Sequence, residues 1–150
     1  MIAEGQMISF RNVVSKFYTL YPNDMNLVIE EMGKELEMRN LTPSGPMFYS
    51  TITDFREEPL TMEVFVPVEE NQLPDMQDKE IIFRSYFLIE SMIMTRVSND
   101  YETQTIEKHI ELIRYTEEHN MEIGSHFFVM PRVVEDHIYI EIYLKALFEN

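Results

Sequence analysis

The amino-acid sequence contains one pattern twice, and this repetition constrains the fold more strongly than any single motif does. Each copy begins with a strand-like run that opens on Phe-Arg, continues through an amphipathic helical stretch to a glycine and an aromatic pair, and ends in an alternating strand with one glutamate. The matched positions are Phe10-Arg11 and Phe83-Arg84, Gly45 and Gly124, Phe48-Tyr49 and Phe127-Phe128, and Glu63 and Glu141. The glutamate follows the glycine by 18 residues in the first copy and by 17 in the second. We therefore predict two βαββ units, at about residues 6–70 and 80–150, within a single domain of residues 1–150.

Hydrophobic periodicity predicts three strands and one helix in each copy. The predicted strands are Met7–Leu20, Met47–Thr53, Thr61–Val68, Ile81–Val97, Ser125–Arg132 and Ile138–Leu144. The polar stretch Glu69–Lys79 links the two copies. The simplest packing of these elements is an α+β fold, in which the units form one curved antiparallel sheet with two helices on one face and a groove on the other.

The two predicted helices each carry an apolar face. In the first helix, which Asn23 or Asp24 can cap, that face consists of Met25, Val28, Ile29, Met32 and Leu36. The second helix covers about Tyr101–His119, and we expect Ile106, Ile110 and Ile113 to point inward.

The chain is strongly acidic, with 12 basic and 27 acidic residues and a formal net charge of −15. This charge repels phosphate backbones and anionic lipid surfaces, so we expect neither a nucleic acid nor a membrane as partner. It favours cationic ligands or basic partner proteins. No secretion signal is recognisable in the first residues, and we expect a cytoplasmic protein.

The sequence offers little for cofactor or metal chemistry. It has no cysteine, and its four histidines do not form a metal-binding pair. We recognise no Gly-rich phosphate loop and no nucleophile elbow. We therefore expect no cofactor and no metal, and these patterns assign no catalytic residues.

Strand alternation separates two faces in the closing strand of each copy. The side chains opposite the aliphatic ones are Glu63 and Phe65 in the first copy and Tyr139, Glu141 and Tyr143 in the second. If the aliphatic faces lie under the helices, the other faces carry a carboxylate beside aromatic rings, which suits an organic cation. An antiparallel sheet with one solvent-facing side produces the same alternation. The recurrence of the acid at matched distances favours a binding site.

The stretch Gly45-Pro46-Met47-Phe48-Tyr49, leading to Met62-Glu63-Val64-Phe65-Val66-Pro67-Val68, resembles the GyrI-like fold of gyrase-inhibitory proteins and of the effector-binding domains of BmrR-type and Rob-type regulators. In those relatives an acidic residue on the central strands faces a ligand that is often a hydrophobic cation. The resemblance covers nearly the whole chain. It implies acids at Glu63 and Glu141, and aromatic walls at Tyr49, Phe65, Tyr139 and Tyr143. The second copy departs from it, because Gly124-Ser125-His126 replaces Gly-Pro-Met.

Three functions remain as hypotheses. The one we favour is a non-catalytic domain whose cleft holds a small hydrophobic or cationic ligand, of amphipathic character, through Glu141 and aromatic walls. A further resemblance, in length, methionine content and overall pattern, is to a stand-alone branch of this fold in Firmicutes that is often encoded near polymorphic toxins of the LXG type. It implies an accessory or immunity-like factor that binds a protein from a neighbouring toxin locus. The third hypothesis is a small-molecule hydrolase of the same fold that uses Glu141 with Tyr139 or Tyr143.

Overall fold

The computed structural model describes residues 1–73 and 80–148, except for the side chain of Pro22. These residues form two α-helices and a single antiparallel sheet of seven strands, which confirms the predicted α+β class. The strands are β1 (Ala3–Leu20), β2 (Phe48–Thr51), β3 (Leu60–Pro67), β4 (Ile82–Val97), β5 (Met121–Ile123), β6 (Phe127–Val134) and β7 (His137–Phe148). The helices are α1 (Met25–Met38) and α2 (Tyr101–Glu118), and a short 3-10 turn, Pro22–Asp24, precedes α1. Residues 74–79 of the predicted linker Glu69–Lys79 lie outside the described residues.

Contacts between residues divide the chain into two compact units. We call residues 9–87 the N-unit, and residues 1–8 with 88–150 the C-unit. The division falls inside β1 and β4, whereas the sequence placed it in the linker. The start of β4 belongs to the N-unit because Phe83 packs against the aliphatic core there, and because the Phe87 ring lies 4.9 Å from that of Phe65.

The core of the N-unit lies between α1 and one face of its strands. Here β3 pairs antiparallel with both β1 and β2. The aliphatic side chains of the closing strand pack against the helix, as the alternation predicted; the cluster includes Met62, Val64, Val66, Val68, Val28, Met32 and Leu36. Burial of each such side chain stabilises the fold by roughly 1.5–3 kcal/mol. Ile29, which the periodicity placed on the same face, is exposed, because the buried stripe of α1 is only one residue wide.

The core of the C-unit is built in the same way from α2 and β7. Strand β7 pairs antiparallel with β4, β5 and β6. The buried cluster consists of Ile93, Val97, Leu112, Ile142, Leu144 and Ala146. The aliphatic face of β7 is therefore the one that lies against the helix, and Glu141 lies on the other face.

Helix α2 turns a different face inward from the one its isoleucines predict. Ile106 and Ile110 are exposed and Ile113 is only half-buried, so this prediction is wrong. The residues that face the core are His109, Leu112 and Thr116. The helix itself offsets part of the cost of burying their polar groups: His109 Nδ1 donates to the carbonyl four residues earlier at 2.7 Å, and Thr116 Oγ1 donates to the carbonyl three residues earlier at 2.6 Å.

Both long strands contain a residue with positive φ at a corresponding place. The φ angle is 57° at Asn12 in β1 and 57° at Ser91 in β4. Residues other than glycine seldom adopt this conformation, and it interrupts the regular extension of a strand. The ladder of β1 with β3 begins at Val13, and that of β4 with β7 begins at Met92, directly after these residues. The two positions therefore mark the start of the register that presents each glutamate.

A glycine in each unit lies directly against the end of the closing strand. A Cβ atom at Gly45 would lie 3.1 Å from Cγ of Pro67, and one at Gly124 would lie 3.1 Å from Cδ of Lys145. Both distances are shorter than an ordinary van der Waals contact. The two glycines that the sequence pattern matched thus serve the same close approach in the two units.

Candidate functional site

The first candidate site surrounds Glu63 on β3. Glu63 is only 7 % exposed, and its carboxylate accepts a hydrogen bond from Ser15 Oγ at 2.6 Å. Arg84 Nη2 lies 3.0 Å from the same carboxylate oxygen, and Arg84 Nη1 donates to Ser15 Oγ at 2.8 Å. The three side chains form a closed ring of contacts, which offsets the cost of removing the carboxylate from water.

Aromatic rings adjoin this ion pair. The Arg84 guanidinium lies over the ring of Phe65, 5.6 Å from its centroid, which is within the range of a cation–π interaction. Phe65 stacks on Phe48 at 4.9 Å and lies 4.9 Å from Phe87, and Phe48 stacks in turn on Phe10 at 5.5 Å. The guanidinium is therefore held between a buried carboxylate and an aromatic cluster.

Phe17 completes this region on the neighbouring strand. It is the cross-strand partner of Glu63, as Ser15 is of Phe65, so the four side chains share one face of the sheet. Phe17 is 49 % exposed. We call Glu63, Ser15, Arg84, Phe65 and Phe17 the Glu63 site.

The second candidate site surrounds Glu141 on β7. Its carboxylate is 4 % exposed and is held by two arginines. Arg132 Nε donates to Oε1 at 2.8 Å, while Nε and Nη2 of Arg96 both lie 3.3 Å from Oε2. The hydroxyl of Tyr143 also donates to Oε1, at 3.0 Å. Burial, and then the charge of Glu141, raise the pKa of Tyr143 to about 12.

An aromatic ring also accompanies this ion pair. The Arg96 guanidinium lies over the ring of Tyr139, 5.1 Å from its centroid. Arg96 is the cross-strand partner of Glu141 and therefore takes the place that Phe17 takes beside Glu63. We call Glu141, Arg96, Arg132, Tyr139 and Tyr143 the Glu141 site.

The predicted site residues thus fall into separate groups. Phe65 lies with Glu63, and Tyr139 and Tyr143 lie with Glu141. Tyr49 is not brought together with either acid, because it packs against the aliphatic cluster under α1, where burial raises its pKa to about 12. The preceding residue, Phe48, supplies the ring that stacks on Phe65.

Sequence reasoning did not identify the partners of the two acids. These are Ser15, Phe17, Arg84, Arg96 and Arg132. Arg84 could have been singled out from the sequence, since it belongs to the Phe-Arg pair that opens the second copy. The others become visible only once strand register is known.

Residues 9–149 match the family described as a domain of unknown function, DUF5085. The chain belongs to this family. No curated protein matches this DUF5085 chain.

Solved structures are similar to the chain over nearly its whole length. The C-terminal domain of EcmrR has a TM-score of 0.80 at 14% identity, over 99% of this chain and 98% of that domain. The EcmrR chain in a complex with DNA has a TM-score of 0.77 at 15% identity, over 99% of this chain and 58% of that one. SAV2435 bound to tetraphenylphosphonium has a TM-score of 0.56 at 12% identity, over 96% and 94%. At these identities the likeness concerns the fold, and it agrees with the GyrI-like fold that the motifs indicated.

Among the described residues of this DUF5085 chain, no three His, Asp or Glu side chains converge in a way that would hold a metal ion. No helix in these ranges has the length and apolar character to span a bilayer.

Proposed function

We propose that this DUF5085 chain is a non-catalytic ligand-binding domain that takes an amphipathic organic cation at the Glu63 site. One observation carries the proposal: the Arg84 guanidinium lies 3.0 Å from the Glu63 carboxylate and 5.6 Å from the centroid of the Phe65 ring. A carboxylate combined with an aromatic face is the arrangement that proteins use to hold organic cations. An arginine of the chain itself occupies the position that a ligand cation would take.

Binding is then an exchange of one cation for another. Arg84 can leave because its side chain is 35% exposed and its guanidinium can return to water. Glu63 is buried, and leaving it without a cation would cost about 3–5 kcal/mol. The incoming cation restores the ion pair, so the apolar part of the ligand decides the affinity. Each Å² of apolar surface that leaves water contributes roughly 25 cal/mol.

Phe17 provides the apolar contact that such a ligand needs. It lies directly across from Glu63 and about half of its surface is exposed. A cation with aromatic or aliphatic substituents would cover this ring, whereas a small inorganic cation would not. The structure of SAV2435 with tetraphenylphosphonium, an organic cation, supports this class of ligand.

The test is isothermal titration calorimetry with tetraphenylphosphonium. Glu63→Gln preserves the shape of the side chain and removes its charge, and we expect the dissociation constant to rise by about tenfold or more. Glu69→Gln is the matched control, because it removes an exposed carboxylate from the same unit, and we expect a change below about twofold. Equal affinity of wild type and Glu63→Gln would refute the proposal.

A substitution that should strengthen binding makes the test sharper. Arg84→Met removes the internal competitor and leaves Glu63 without its cation, so tetraphenylphosphonium should bind about tenfold more tightly than to wild type. Weaker binding to a folded Arg84→Met variant would show that Arg84 supports the ligand and does not compete with it.

One observation favours a second candidate, the accessory or immunity-like factor that binds a protein of a toxin locus. Ile106 and Ile110 are exposed one helical turn apart on α2, with the exposed Glu107 beside them and Glu111 paired with Lys108. Such a surface suits a partner that presents apolar residues surrounded by basic ones. Binding of a purified neighbouring toxin that is lost in the Ile106→Ser, Ile110→Ser double variant, with tetraphenylphosphonium binding intact, would support this function.

A further inference from the structure

The Glu141 site carries an excess of positive charge. Its two guanidinium groups and one carboxylate give a formal charge of +1, whereas Arg84 and Glu63 cancel. This local excess occurs in a chain with a net charge of −15. We propose that the Glu141 site binds the carboxylate of a small organic acid between Arg96 and Arg132. This proposal concerns a different unit from the cation site and does not depend on it.

The two arginines have more donors than Glu141 uses. Each guanidinium offers five N–H donors. Among the contacts of the described residues, Glu141 takes Nε of Arg132 and Nε and Nη2 of Arg96. Most of the ten donors are thus directed elsewhere. A planar carboxylate is the acceptor that matches such a fork, because its two oxygens accept parallel hydrogen bonds.

The inner side of this site is fixed and its outer side is open. Glu141 is buried and also accepts the Tyr143 hydroxyl, so it holds both guanidinium groups in place. The Arg96 side chain is 57% exposed and that of Arg132 is 36% exposed. A ligand can therefore reach their outer nitrogens without displacing either arginine. The Tyr139 ring next to Arg96 offers an apolar surface for the carbon part of the acid.

The formal charge of the Glu141 site distinguishes between cationic, singly anionic and doubly anionic ligands. A cation would face two guanidinium groups and would have to replace both in order to reach Glu141. A monoanion brings the site from +1 to zero, whereas dianionic phosphate would leave it negative within an acidic chain. A singly charged carboxylate is therefore the ligand that the local charge favours.

The experiment uses 3-phenylpropionate as probe and its neutral amide, 3-phenylpropionamide, as the matched control ligand. Binding is followed by calorimetry on wild type and on Arg96→Gln and Arg132→Gln. We expect 3-phenylpropionate to bind wild type, the amide to bind at least about tenfold more weakly, and each variant to lose about tenfold or more in affinity. Arg114→Gln removes an exposed arginine of α2 and should leave the affinity unchanged.

Further variants keep the test decisive if a glutamine variant fails to fold. Arg132→Lys retains the charge and removes the planar fork, so it should still weaken binding about tenfold. Equal binding of the acid and the amide, tighter binding of inorganic phosphate, or loss of affinity in Arg114→Gln alone would each overturn the proposal. Tetraphenylphosphonium is titrated separately, so the cation site and the carboxylate site can fail independently.

Discussion

The Glu63 site and the Glu141 site share a plan but differ in charge. Each has a buried carboxylate on a closing strand, and each carboxylate pairs with an arginine that lies over an aromatic ring. On β1 the cross-strand neighbour of Glu63 is the exposed ring of Phe17, whereas on β4 the cross-strand neighbour of Glu141 is Arg96. One residue on the adjacent strand thus changes the site from neutral to positive.

Under the two proposals, similar strand arrangements would bind ligands of opposite charge. In an antiparallel ladder, the side chains of paired residues lie side by side on one face of the sheet. The residue opposite a buried acid is therefore its most immediate charged or apolar neighbour. A second exchange accompanies the first: Ser15 lies opposite Phe65, and Met94 lies opposite Tyr143. The polar support of the acid comes from the neighbouring strand in one site and from the tyrosine in the other.

The largest expected effect is a difference in the free energy of unfolding between variants of the two glutamates. Glu141→Gln should lower the free energy of unfolding by about 3 kcal/mol, because it leaves two adjacent guanidinium groups without their shared anion. Glu63→Gln should cost about half as much, since it frees a single arginine that is partly exposed. Urea denaturation of both variants measures the difference. Equal losses would mean that the second arginine does not distinguish the sites.

The next-largest expected effect tests whether the residue opposite the acid, Phe17 or Arg96, determines the charge of the ligand that the site binds. Phe17→Arg places a second guanidinium opposite Glu63, and the affinity for tetraphenylphosphonium should fall by about tenfold or more. Phe17→Leu keeps an apolar side chain and serves as the control, with a smaller loss of about threefold. In the reverse exchange, Arg96→Phe should create a second cation site, so that calorimetry reports two bound cations per chain. An unchanged stoichiometry would contradict the role we give to this position.

The sequence was sufficient to predict the fold class, most strands and the burial of the aliphatic faces, because alternation and helical periodicity depend on local residue order alone. It failed for α2, since His109 Nδ1 and Thr116 Oγ1 form hydrogen bonds within the helix, and these two residues are buried where isoleucine was expected. It also failed for the arginines. Arg84 and Arg96 reach the acids from strands that are far away in the sequence, and no local pattern records such contacts. Arg132 lies nine residues before Glu141 on the preceding strand and reaches it through a long flexible side chain. The roles in ligand binding that the sequence led us to expect for Glu63, Phe65, Tyr49, Glu141, Tyr139 and Tyr143 stay predictions.

A smaller effect tests the polar support on the neighbouring strands. Ser15 is fully buried, donates to Glu63 and accepts from Arg84, so Ser15→Ala should cost about 1 kcal/mol in the free energy of unfolding. Met94→Leu at the corresponding place should cost less than about 1.5 kcal/mol, through packing alone, and should leave ligand binding unchanged. Thermal unfolding with and without tetraphenylphosphonium distinguishes them, because only Ser15→Ala should also weaken the response to the cation.

The smallest effect at neutral pH is that of the Tyr143 hydroxyl, one of several donors to Glu141; Tyr143→Phe should cost about 0.5 kcal/mol at pH 7. The pKa of Tyr143 is raised from 10.0 to about 12, so the folded state holds this proton more tightly than the unfolded state does. The stabilising contribution is therefore complete below pH 10 and is lost as the pH rises from about 10 to about 12. Tyr49 is the control, because burial alone raises its pKa to about 12. In a Glu141→Gln background, absorbance titration of tyrosinate should show a lower pKa for Tyr143 and an unchanged one for Tyr49. If neither pKa moves, the charge of Glu141 does not contribute to the raised pKa of the Tyr143 hydroxyl.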